Sequence, residues 1–130
     1  MTDPALAAYG GPETIARVTA RFVDRCFEDR IIGFLFVGKD RAAIARHELA
    51  HTLRLLGADV PYEGRPVVAV HRPMRINAGQ FRRRLALLRQ EILREGLSED
   101  VAEAWLAPQR RMEAAITDGT DCGPGGVAGR

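Results

Sequence analysis

Three histidines, His47, His51 and His71, are the residues through which this chain could do metal chemistry. Two of them sit in His47-Glu48-Leu49-Ala50-His51, a match to H-E-x-x-H. Residues four apart share a helix face, so His47 and His51 could bind one zinc ion while Glu48 polarises a metal-bound water, as in a small zinc hydrolase. A third ligand is needed, and Glu63 and His71 are the downstream candidates. Only three of the five positions are fixed, so the pentapeptide alone is weak evidence. The alternative is a His47 at the solvent edge and a His51 at the edge of the core. His71 stands in a different setting, the stretch VVAVHRPMRINAGQF from Val67 to Phe81. Val67, Val70, Met74 and Ile76 make its surroundings apolar, and an imidazole held there is either bonded to a carbonyl or a metal ligand.

The elements that would carry these residues read as helices. Pro12 suits a first helical turn and Glu13 its positive end, and Ile15, Val18, Phe22, Cys26 and Phe27 recur at helical spacing to about residue 29. Residues 1–11 read as a loose lead-in. An unusually apolar corner, Asp29 to Gly38, carries Ile31, Ile32, Phe34, Leu35 and Phe36 and should be covered by other parts of the chain. Asp40 is a good cap for a second helix that Gly57 stops near Leu56. Along it Ala42, Ala45, Leu49, Leu53 and Leu56 form one stripe, and Ile44, Glu48, His51 and Leu55 a second, mixed one.

The loop GADVPYEGRP leads to the short segment with His71, where Pro73 must end or kink a helix. Asn77 caps a third long helix to about residue 95, with Phe81, Leu85, Leu88 and Ile92 on its apolar face. Ser98 caps the last, with Val101, Trp105, Met112 and Ile116 facing inward and Pro108 expected to kink or interrupt it. No convincing strand, repeat or second domain is present. The expectation is an all-α domain over 1–117 and a disordered, Gly-rich tail over 118–130.

Composition narrows the function. The chain has 130 residues, 28% charged and 46% hydrophobic, with a net charge of +2. That balance suits one soluble domain and is too weak to argue for nucleic acid. Arg82-Arg83-Arg84 and Arg110-Arg111 lack interleaved aromatics and read as solvated helix faces. No apolar run is long enough to span a bilayer, and the first residues lack the basic-then-apolar order of a signal peptide. Two cysteines, Cys26 and Cys122, make no disulfide framework, so a reduced, cytoplasmic protein is expected.

The order of motifs from Tyr9 to Gly96 resembles the truncated globins, specifically their group I branch. Gly10-Gly11 after Tyr9 is similar to the family's opening glycine motif. Phe22 falls on the first residue of its Phe-Tyr pair, and Phe36 on the corner phenylalanine that packs on the haem. Arg46-His47-Glu48 resembles its basic-His-Gln triplet, Leu56-Gly57 its Leu-Gly-Gly, and Pro61-Tyr62-Glu63-Gly64 its Pro-Tyr-x-Gly. Val70-His71 with Ile76 and Phe81 resembles its proximal histidine signature. The later Leu106-Ala107-Pro108 fits only if about one helical turn is missing.

The resemblance implies a two-over-two helical sandwich around haem b, with His71 as proximal iron ligand and its other ring nitrogen donating to a carbonyl. Phe36, Val67, Val70, Ile76, Phe81 and Leu88 would contact the ring, with Phe22, Val23, Ile44, His47 and Glu48 also at the pocket. The iron's open site would take O₂, CO or NO, for oxygen binding or transport or for NO dioxygenation with a reductase as partner, in a monomer or weak homo-oligomer. Departures from the family fall on the ligand side. Val23 stands where a tyrosine is common and Glu48 where a glutamine is common. Valine donates no hydrogen bond and an ionised carboxylate only accepts. A Glu48 facing haem would be driven toward its neutral, donating form by desolvation; otherwise it turns to solvent or pairs with an arginine. On these residues O₂ should be held weakly.

His47 touches a haem propionate, lies exposed, or ligates the iron from the distal side. Arg84, where the family has a small or apolar residue, reaches a propionate or points to solvent. Two other readings stand beside this one: the zinc hydrolase, and a globin-shaped sensor or interaction protein with weak haem binding.

Overall fold

A computed structural model describes residues 4–57 and 76–113 of the chain. The loop after Gly57, the segment with Val67, Val70 and His71, and the tail over 118–130 lie outside the described residues. Among the described residues every regular element is helical: α1 (Pro4–Ala7), α2 (Gly11–Glu28), a 3-10 turn (Gly33–Phe36), α3 (Arg41–Leu55), α4 (Ala78–Arg94) and α5 (Glu99–Arg110).

Each helix begins where its sequence supplies a cap. Gly10 precedes α2 at φ 88, a conformation that glycine adopts without steric cost, and Pro12 and Glu13 fill the first turn. Asp40 accepts the Ala43 N–H at 3.2 Å at the start of α3. Asn77 and Gln80 close a reciprocal capping box at α4, Asn77 Oδ1 accepting from the Gln80 N–H at 2.8 Å and Gln80 Oε1 from the Asn77 N–H at 3.0 Å. Ser98 Oγ accepts the Val101 N–H at 3.1 Å at α5. Gly57 ends α3 at φ 109, and a Cβ there would lie 3.0 Å from that of Ala5. The glycine thus both stops the helix and admits α1 against it.

α2 is the hub, packed against α1, α3, α4 and the 3-10 turn, while α4 in turn carries α5. Ile15, Val18, Phe22, Val23 and Cys26 of α2, Phe81, Leu85, Leu88 and Ile92 of α4, and Ala102, Trp105 and Leu106 of α5 form one buried cluster. Tyr9 meets Trp105 edge to face at 6.0 Å, tying the lead-in to α5. A carboxylate–guanidinium lattice joins α2 to α4. Glu91, 1% exposed, accepts from Arg21 at 2.9 Å and Arg25 at 3.0 Å, and Glu95 accepts from Arg17 and Arg21, both at 2.7 Å.

Two expectations need correction, and a third is narrowed. The lead-in contains the short helix α1, whose four residues are too few to show a helical period. The apolar corner is not fully covered: Ile32 is buried, but Ile31, Phe34 and Val37 are exposed. Finally, Pro108 does not interrupt α5, which runs on to Arg110. A proline in the last turn forfeits only one backbone bond, and the buried neighbours Trp105, Leu106 and Gln109 hold the turn in place.

Candidate functional site

The site is built on the crossing of α2, α3 and α4. Asp29 fixes the chain's exit from α2: its carboxylate accepts the Ile31 and Ile32 N–H groups at 2.9 and 3.1 Å and Arg83 of α4 at 2.6 Å. The Arg83 guanidinium, helped by those backbone donors, holds the Asp29 carboxyl below the usual carboxylate range. Arg41, the first residue of α3, reaches back to Asp24 at 3.0 Å and Glu28 at 3.3 Å and lies 4.7 Å above the Phe27 ring. Phe27 stacks at a tilt on Phe36, 4.8 Å between centroids. These contacts set the corner and the start of α3 against α2.

At the centre of the crossing stands Arg84. Its Nη2 donates to Glu48 Oε2 of α3 at 2.8 Å, and its Nη1 donates to Gln109 Oε1 of α5. The guanidinium carbon sits 5.0 Å over the Phe22 ring and 6.0 Å from that of Phe81. The side chains of Arg84 and Glu48 are only 18% and 15% exposed, so their attraction is little screened by solvent. Beside them Cys26 is buried as a free thiol. Burial pushes its pKa up to about 12, with the Arg84 charge opposing that rise and the Glu48 charge adding to it.

Most of the candidate site residues come together here. Phe22, Val23, Ile76, Phe81 and Leu88 are buried in the common core, and Phe36 and Ile44 are half-buried against it. His47 is exposed on α3, while Glu48 and His51 are half-buried. Val67, Val70 and His71 lie outside the described residues. Glu48 pairs with an arginine, the last of the alternatives the sequence left open. The reading of Arg82-Arg83-Arg84 as a solvated face holds for Arg82, which is exposed and pairs with Glu113, and fails for Arg84: successive residues turn about 100° around a helix, so Arg83 turns to Asp29 and Arg84 inward to Glu48. Arg84 therefore points neither to solvent nor outward. Gln109, 1% exposed, is the member that sequence reasoning missed. For Arg84 a signal existed, since it falls between Phe81, Leu85 and Leu88 on the apolar stripe of α4.

The zinc reading gains no support. Glu48 is engaged by Arg84, and among the described residues no three His, Cys, Asp or Glu side chains converge to hold a metal.

Residues 6–118 match the family model described as bacterial-like globin. The chain belongs to the bacterial-like globin family. The ferric form of the truncated hemoglobin from Tetrahymena pyriformis is structurally similar, with a TM-score of 0.82 at 16% identity over 89% of this chain and 97% of that one. Two variants of the same protein are similar on the same coverage and identity: a tyrosine-to-phenylalanine exchange, TM-score 0.82, and a glutamine-to-glutamate exchange, TM-score 0.82. No curated protein matches this globin. The fold is that of a truncated globin, all-α as the sequence implied. Among the described residues no helix is long and apolar enough to cross a membrane.

Among the described residues, α3 offers the apolar side that a haem group would need. α3 is a 15-residue helix in which only Thr52 is fully buried. Its apolar Ile44, Ala45, Leu49 and Leu53 pack on the core while remaining partly uncovered, as the wall of a pocket for a flat apolar ring would.

Proposed function

We propose that this globin binds haem b through His71 and takes up diatomic gas ligands. The observation that carries the reading is the family match across residues 6–118, supported by the partly uncovered apolar wall of α3. Bound haem would supply an iron atom able to coordinate O₂, CO or NO. Val67 and Val70 would flank the His71 imidazole, and Phe22, Val23, Phe36, Ile44, Ile76, Phe81 and Leu88 would line the pocket and exclude water. The ring's second nitrogen would donate to a carbonyl that fixes its tautomer. His47, exposed on α3, serves in this reading as a pocket-edge donor to a propionate. A reducing cytoplasm and a reductase partner complete it, in keeping with the free, buried Cys26 thiol.

Titration of the apoprotein with haemin tests the proposal. The expected result is a saturable Soret band at one haem per chain, and a ferrous form that shifts on addition of CO. A chain that leaves haemin in its free-solution spectrum would refute it.

A further inference from the structure

The long helices are not equally buried. α2, α4 and α5 each sink large apolar side chains completely: Phe22 of α2, Leu87 and Ile92 of α4, and Trp105 and Leu106 of α5 are 2% exposed or less. α3 fully buries only Thr52, and its apolar Ile44, Ala45, Leu49 and Leu53 are covered in part. Local opening is easiest where buried apolar contact is least, so α3 is the helix with least to lose on leaving the core. It lies along α2, where its charged tie, Arg41 to Asp24 and Glu28, joins solvent-exposed side chains and counts for little. The backbone before it has room to turn: Val37, Gly38 and Lys39 are exposed, and Gly38 stands at φ 78 with open space where a Cβ would be. The corner itself is fixed to α4 by Asp29 and Arg83. A tie of a different kind crosses from α3 to the other helices. Glu48 and Arg84, 15% and 18% exposed, pair at 2.8 Å, and Arg84 also donates to Gln109 of α5, itself 1% exposed. A hydrogen bond between charged groups at that depth is worth more than an exposed pair.

We propose that α3 is the opening element of this fold, a helix that lifts from the core while α2, α4 and α5 stay packed, and that Glu48, Arg84 and Gln109 form the latch that holds it shut. The three other helices keep their own ties when it lifts. Glu91 and Glu95 of α4 still hold Arg17, Arg21 and Arg25 of α2, and the Trp105 and Leu106 side chains of α5 remain in the common core. Only the bond from Glu48 to Arg84 must break. The latch joins α3 to α4 and, through the same guanidinium, to α5, so one carboxylate governs whether the helix is held by the far side of the molecule. One consequence rests on the haem reading above. α3 carries the partly uncovered apolar wall of the pocket, so its lifting is the passage by which the flat ring enters and leaves.

Amide hydrogen exchange on the full chain, read by mass spectrometry, tests the latch in wild type, Glu48→Gln and Glu91→Gln. Glutamine keeps the shape of each carboxylate without its charge. In the open state the Glu48 bond is broken and the Glu91 bonds are intact, so the two variants separate local from global opening. Glu48→Gln should speed exchange of the α3 amides by about tenfold or more. Glu91→Gln should speed exchange in α2 and α4 and leave α3 within about twofold of wild type. Equal acceleration of α3 by both variants would mean that α3 opens only when the whole chain unfolds, and would overturn the proposal. So would an α3 indifferent to Glu48→Gln. Should a variant not fold, wild type alone decides: exchange of the α3 amides should depend less on added urea than that of α2 and α4, because the opening exposes less surface. A common urea dependence counts against it. In the haem-loaded chain, release of haemin to an excess of a haem-scavenging protein should quicken in Glu48→Gln and not in Glu91→Gln; release that ignores Glu48→Gln would refute the passage. A chain that takes up no haem defeats the reading beneath, and hydrogen exchange then still judges the latch.

Discussion

At the scale of single residues, the burial of charge explains most of what is unusual. Glu91 is the deepest carboxylate, 1% exposed. Burial alone would push its carboxyl up, but the hydrogen bonds from Arg21 and Arg25 outweigh it, and the group titrates below its ordinary value. Removing both hydrogen-bonding partners leaves the carboxylate only the more distant Arg94, 3.8 Å away. Arg21→Ala/Arg25→Ala should cost about 3 kcal/mol or more, and exceed the sum of the single variants, because either arginine alone still compensates the carboxylate. Urea unfolding of the four proteins measures this; additive losses would contradict it. Cys26 offers a second check at this scale. With its thiol pushed to about 12, it should resist iodoacetamide at pH 8 in the folded chain and react once the chain is unfolded in urea. Alkylation of Cys26 in the native protein, read by mass spectrometry, would show that the helix crossing is less closed than described. Neither property was legible from residue types. Cys26 read correctly as an apolar helix position, but the partners of Glu91 lie some 70 residues away in the chain.

At the scale of elements, the helix ends were the most readable part. Asp40, Asn77, Ser98 and Gly57 each act through backbone chemistry that a local sequence specifies, and each falls where the sequence placed it. α1 was not readable, because four residues display no period. The corner between α2 and α3 was half readable: its apolar content was plain, but coverage depends on neighbours, and Phe34 and Val37 have none that bury them. What anchors that corner is the pair Asp29–Arg83, and its contribution has a definite pH dependence. The folded-state pKa of Asp29 lies below its unfolded value. Its stabilisation is therefore full above the unfolded value and lost as pH falls through the folded one. Arg83→Met should cost about 2 kcal/mol at pH 7, and the gap to wild type should narrow steadily below pH about 4. Guanidinium midpoints across that range test it, and a gap that persists at low pH would mean that Arg83 acts by packing alone.

At the scale of the whole molecule, the helices surround a polar spot that no single segment announces. The spacing of Phe22, Phe36, Glu48, His71 and Phe81 is what made the family visible, since motifs weak one by one became specific in their order. The same spacing could not show that Arg84 lies between Phe22 and Glu48, because that depends on how α4 rotates about its axis as it packs on α2. The apolar stripe of α4 contained the clue, and a charged residue inside such a stripe is worth reading as an inward-facing one. The account of the molecule as a haem protein turns finally on His71. The most direct measurement is the ferrous and ferric absorption spectrum of haem-loaded wild type beside His71→Gly, with and without added imidazole. The account predicts that the substitution weakens haem retention and alters the Soret and visible bands, and that free imidazole restores them by occupying the place of the lost ring. Spectra and haem affinity that are indifferent to His71→Gly would show that another group holds the iron and would contradict the central claim.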